Sequence, residues 1–107
     1  MLVLFDQGTP RGLARFLVGH TVKEAKAQGW DRLSNGELLA EAENAGFDVL
    51  VTPDKNIRYQ QKLLSRKIAV VVLGSAQWPT LRQHADLVLC AVNAATPGSY
   101  MDVDIPS

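Results

Sequence analysis

Ile68-Ala69-Val70-Val71-Val72-Leu73 decides the fold of this chain. Six consecutive apolar residues leave no polar face, so a strand built from them must be covered on both sides. Such strands belong to parallel sheets whose crossovers lay helices on the two faces. Upstream, Asp48-Val49-Leu50-Val51-Thr52 is a second strand and Leu2-Val3-Leu4-Phe5 a third. The segments between them are too long for hairpins, which predicts parallel crossovers. The expected architecture is α/β: a three-layer sandwich around a central, mostly parallel sheet of four to five strands, with right-handed connections.

The intervening segments fill in that plan. Thr9 can cap a helix that Pro10 begins, with Leu13, Phe16 and Leu17 at helical spacing and Gly19 as its stop. His20 to Glu24 is a short strand candidate, and residues 25–33 read as loop. Ser34-Asn35-Gly36-Glu37 has the capping-box spacing, a serine followed three residues later by glutamate. Leu38, Leu39, Ala42 and Ala45 give that helix one apolar face, and Gly46 ends it. Another helix is expected from about Asn56 to Ser65. Pro79 is placed to begin a last long helix, with Leu81, Ala85, Val88, Leu89 and Val92 as its buried stripe. Thr96-Pro97-Gly98 breaks that helix, and Tyr100 to Ile105 reads as an edge strand.

At 107 residues the chain is long enough for one core, so a single domain over 1–107 is expected. A hydrophobic content of 47% argues against disorder. Eleven basic residues balance eleven acidic ones, which argues against a strong general nucleic-acid binder but leaves room for a local basic patch. Cys90, the one cysteine, fits a reducing compartment, and its apolar surroundings predict a core position. No run approaches the ~20 apolar residues of a membrane span. No basic region precedes the first apolar run, so no signal peptide is expected. Together these features predict a soluble cytoplasmic protein that does not engage a membrane. His20, His84, Trp30 and Trp78 read as structural residues.

The chemistry concentrates at strand ends. Asp6 follows the first strand and Asp54 follows the 48–52 strand, so parallel pairing puts both at the carboxyl edge of one sheet. Open α/β folds place their ligands at that edge. Glu37 lies in the first turn of the helix that enters the 48–52 strand, so it too starts over that edge. Convergent carboxylates need a compensating cation, and oxygen-only ligands suit Mg²⁺ or Mn²⁺. Such ions promote phosphodiester hydrolysis by activating water and neutralising phosphate charge. Each acid also has a purely structural alternative. Asp6 would organise the Gln7-Gly8 turn, Asp54 would cap a helix, and Glu37 would reach back to the Ser34 backbone. Asn35 is a further candidate through its side-chain oxygen.

Lys55, Arg58, Lys62 and Arg66 step by three and four residues along one expected helix face, with Lys67 beside them. That stripe suits a phosphate backbone delivered to the acids, and Tyr59 is placed to stack on an unpaired base. Arg11 is a second candidate phosphate contact. The competing reading is a solvated helix face with Tyr59 in the core.

Three of these pieces resemble the PIN-like nuclease domains, in particular the short, VapC-like bacterial toxins. Leu4-Phe5-Asp6 looks like the opening motif, an acid closing the first strand. Ser34-Asn35-Gly36-Glu37-Leu38-Leu39 looks like the acidic helix start of the third motif. Leu50-Val51-Thr52-Pro53-Asp54 looks like the fourth, a strand ending in threonine, any residue, then aspartate. The resemblance covers about residues 1 to 75. It implies a PIN-like sheet and Mg²⁺- or Mn²⁺-dependent RNA cleavage. Asp6, Glu37 and Asp54 would hold the metal and act catalytically, while Arg11, Asn35, Lys55, Arg58 and Lys62 would meet substrate. It also implies a toxin role with a small antitoxin protein as partner, and a homodimer. Asn35 stands where the family often has aspartate, which leaves a second reading: a PIN-like module that binds RNA or protein with little or no catalysis.

Overall fold

A computed structural model describes residues 1–57 and 66–106. Its described residues hold a five-stranded sheet: β1 (Leu2–Phe5), β2 (Thr21–Glu24), β3 (Val49–Thr52), β4 (Ala69–Leu73) and β5 (Tyr100–Val103). Every neighbouring pair is parallel, and the order across the sheet is β2-β1-β3-β4-β5. The all-parallel sheet meets the sequence expectation at its upper strand count. The run that decided the fold is β4, buried along its whole length. The weak candidate after His20 is the edge strand β2, whose alternating exposure suits a position with one open side.

Strand periodicity divides the interior into two cores. Val3, Phe5, Val51 and Val71 face one side, against Leu13, Leu17, Leu81 and Val88. Leu4, Leu50, Val70 and Val72 face the other, against Leu38, Leu39, Ala42 and Ile57. Burying each of these valine, leucine, isoleucine and phenylalanine side chains contributes about 1.5–3 kcal/mol. The second face is covered by helix α1 (Asn35–Asn44), and the first by α2 (Trp78–Gln83) and α3 (Ala85–Ala94).

One topological expectation fails. The β1-to-β2 and β4-to-β5 connections both pack on the first face. They step in opposite directions across the sheet, since β2 and β5 are its two edges. Two connections on one face with opposite steps have opposite hands, so right-handedness holds for only one of them.

Four local expectations are also corrected. The segment after Pro10 is a 3-10 helix, Arg11–Phe16, rather than an α-helix capped by Thr9. The buried Thr9 hydroxyl donates instead to the Val51 carbonyl at 3.1 Å. The tight turn also brings Gly12 against the Trp78 indole, so closely that a Cβ there would lie 2.5 Å from the ring. The long helix expected from Pro79 is two helices. His84 leaves helical geometry (φ −122°, ψ 23°), and its amide bonds back to Leu81 rather than continuing the ladder. Cys90 is exposed, because the buried positions of α3 are Ala85, Val88, Ala91 and Val92 and position 90 falls on the opposite side of that turn. The expected loop over 25–33 also contains a short 3-10 turn, Lys26–Gln28.

The helix expected over 56–65 lies almost entirely outside the described residues, beyond Ile57. Trp30 and Trp78 are structural, Trp30 edge-on to Phe47 and Trp78 tilted against Phe16. Among the described residues no helix is long and apolar enough to cross a membrane.

Candidate active site

The sheet order places a crevice between β1 and β3. The chain leaving β1 turns to the first face, where Leu13 packs, while the chain leaving β3 turns to the second, where Ile57 packs. Connections that diverge from adjacent parallel strands open a cleft at the carboxyl edge, the general ligand position of such sheets. Asp6 follows β1 and Asp54 follows β3 by two residues, so both half-buried carboxylates belong to that crevice.

Thr52 joins the two exits. Its side chain is fully buried at the end of β3, and a buried hydroxyl requires partners. It donates to Asp6 Oδ2 at 2.8 Å and accepts from the Asp54 backbone amide at 3.1 Å. Asp6 is fixed further: Oδ1 accepts from the Gln7 amide at 2.8 Å, and its own amide donates to the Val51 carbonyl at 2.9 Å. The turn beyond it depends on Gly8, whose φ of +90° and close approach to Pro53 together disfavour a side chain. Asp54 Oδ1 accepts from the Asn56 amide at 2.9 Å, a local side-chain-to-backbone turn. Asp54 Oδ2 accepts from Asn35 Nδ2 at 2.9 Å, so α1 reaches the site through its first residue.

Glu37 has another partner. The capping box is complete: Glu37 Oε1 accepts from the Ser34 amide at 3.1 Å and from the Ser34 hydroxyl at 2.8 Å, and the Glu37 amide donates to Ser34 Oγ. The Ser34 hydroxyl first, then its backbone amide, holds the Glu37 carboxyl below its ordinary range. Among the described residues, no group of three or more His, Cys, Asp or Glu is placed to hold a metal ion. The structure therefore connects Asp6, Asp54 and Asn35, and ties Glu37 to Ser34.

The expected phosphate contacts distribute differently. Arg11 pairs with Glu24 at the end of β2, Nε to Oε1 at 3.0 Å. Lys55 is exposed beside Asp54 and lines, with Asn56, Gly74, Tyr100, Asp102 and Asp104, a cleft of about 600 Å³. Arg58, Tyr59 and Lys62 lie outside the described residues. Arg66 is 3.8 Å from Glu43, which also accepts the amides of Lys67 and Ile68 at the entry to β4.

The donors at the site are oxygens only, the type that hard cations take. Mg²⁺ keeps several waters and commonly takes only one or two carboxylates together with substrate phosphate. Among the described residues, each carboxylate oxygen of Asp6 and Asp54 accepts one hydrogen bond, and a carboxylate oxygen has two lone-pair directions. Thr52 is the residue that sequence reasoning left without a role. Its signal was present as the one hydroxyl closing an otherwise apolar buried strand, two residues before an acid. No protein-family model, no curated protein and no solved structure matches this chain.

Proposed function

We propose that this chain is a PIN-like, Mg²⁺- or Mn²⁺-dependent endoribonuclease, the toxin of a toxin–antitoxin pair. The observation that carries the reading is the pairing of Asp6 and Asp54 through Thr52 in the crevice between β1 and β3. Asp6 and Asp54 would hold the cation, which supplies water activation and neutralisation of phosphate charge. Thr52 and the Asn56 amide fix the two acids before any ligand arrives, so little ordering remains to oppose binding. Exposed Lys55 lies next to Asp54 in the chain, placed to attract a phosphodiester. RNA, a small antitoxin protein and a second copy of the chain are the partners that accompany this reading, and the cytoplasm is its compartment.

Asp54→Asn keeps the side chain's shape and removes its charge. It should abolish Mn²⁺-dependent cleavage of single-stranded RNA while circular dichroism stays that of the wild type. Undiminished cleavage by the folded variant rejects the assignment.

The engagement of Glu37 with Ser34 favours a second reading, a PIN-like module that binds RNA or protein without cutting. Calorimetric titration with Mn²⁺ separates the two, since wild-type protein that takes up no cation belongs to the second.

A further inference from the structure

Resting on the RNA reading above for its place in the reaction, we infer that the cleft between the exit of β3 and the end of β5 holds the nucleotide beside the scissile phosphate, and that Asp104 selects guanine there. The sheet diverges twice. The chain leaves β3 toward the second face, where Ile57 packs, and leaves β4 toward the first, where Trp78 and Leu81 pack. Adjacent parallel strands whose exits diverge open a ligand crevice at their carboxyl ends. This second crevice, beside β4, is the cleft of about 600 Å³ that Lys55 lines, and it is distinct from the one between β1 and β3. Its volume falls within the roughly 300–1,000 Å³ of small-ligand sites.

The two walls of the cleft differ in chemistry. Lys55 and Asn56 form one, Tyr100, Asp102 and Asp104 the other, with Gly74 between them. The walls stand two interstrand spacings apart, roughly 10 Å, which matches the reach of a nucleotide from phosphate to base edge. Exposed Lys55 follows Asp54 in the chain, so its ammonium sets the phosphate end beside the first crevice. Tyr100 offers the base a ring to stack on. That ring packs on the second core, and its hydroxyl donates to Asp102 Oδ1 at 2.8 Å, which holds it in place. Asp104 is exposed just beyond β5, and its ionised carboxylate acts only as an acceptor.

An acceptor-only group discriminates among the bases. Guanine alone sets two donors side by side on its Watson–Crick edge, N1–H and N2–H, matching the two oxygens of one carboxylate. Adenine and cytosine place an acceptor next to their donor, and uracil flanks its donor with two carbonyls. Each of these would turn an acceptor toward the acid, a mismatch that a hydrogen-bonding site rejects.

Titration of the 5′-monophosphates GMP, AMP, CMP and UMP into the metal-free protein, followed by backbone amide NMR, tests the inference without cleavage or cation. GMP should bind about tenfold more tightly than the other three, the worth of one hydrogen bond to a charged group. It should shift the amides of Asn56, Gly74 and Asp104. Asp104→Ala, with circular dichroism unchanged, should lower GMP to the level of AMP, while Lys55→Ala should weaken all four nucleotides alike. GMP held no more tightly than the others, or a GMP preference that survives in Asp104→Ala, overturns the inference. A GMP-selective chain that leaves guanine-containing RNA uncut with Mn²⁺ overturns the nuclease reading and keeps the guanine site. One that cuts RNA but takes up no GMP overturns the guanine site and keeps the nuclease reading.

Discussion

The turn after β3 and the start of α1 each set a carboxylate against a hydroxyl, and they use the pair differently. At the start of α1, Ser34 and Glu37 are three residues apart and satisfy each other on an exposed surface. After β3, the buried hydroxyl of Thr52 reaches Asp6, 46 residues away in sequence. The first pair completes one helix end and can form wherever that helix forms. The second exists only when β1 and β3 are already side by side. A carboxylate consumed by its own helix does local work, whereas one held by another strand is available to a site.

Thr52→Val should break this contrast most severely. Valine keeps the shape but strands Asp6 Oδ2 and the Asp54 amide without their partner, costing about 1–3 kcal/mol in urea unfolding. Mn²⁺ affinity should fall with it, and Thr52→Ser should recover much of both. A valine variant as stable as wild type would mean that the two exits are held by something other than this hydroxyl.

Ser34→Ala should cost about 1 kcal/mol of stability, the usual value of a helix N-cap, and leave Mn²⁺ affinity unchanged. A large loss of Mn²⁺ binding in that variant would move the start of α1 into the site. The smallest effect belongs to Glu37→Gln, which retains capping geometry and removes the charge. The folded-state pKa of Glu37 lies below its ordinary value of 4.5, so its ionised form contributes stability fully above that value. The contribution is lost as pH falls through the lowered folded-state pKa. The stability gap between wild type and Glu37→Gln should therefore be widest above pH 4.5 and close on further acidification. Carboxyl NMR titration should find Glu37 low in wild type and nearer the ordinary range in Ser34→Ala.

Local rules made much of this legible in advance. The apolar runs of β1, β3 and β4 each emerge within a residue of their expected limits, because burial on both faces leaves a continuous hydrophobic signal. The Ser34 cap is equally readable, since all its parts lie within four residues. What escaped depends on distant partners. Thr9 resembles a cap, but its hydroxyl is claimed by Val51 across the sheet. The ion pair of Arg11 with Glu24 also depends on a neighbouring strand, 13 residues on in sequence. Thr52 was visible as a letter, but its role required knowing that β1 and β3 are neighbours. The hand of a crossover is likewise a property of the assembled sheet, and no stretch of residues encodes it.

The sheet order sets a timetable. Of the five strands of this sheet β1 is made before the others, yet it is an inner strand with β2 on one side and β3 on the other. At roughly 5–20 residues per second, β3 is completed roughly 2–10 s after β1. During that interval Leu2-Val3-Leu4-Phe5 has an open edge and no complete cover, a strand exposed to pairing with the wrong partner. Newly made chains should therefore be most prone to aggregate before residue 52 has emerged. The hydroxyl that closes β3 is then also the one that latches Asp6, so completion of the central pair and assembly of the crevice are one event on the folding path.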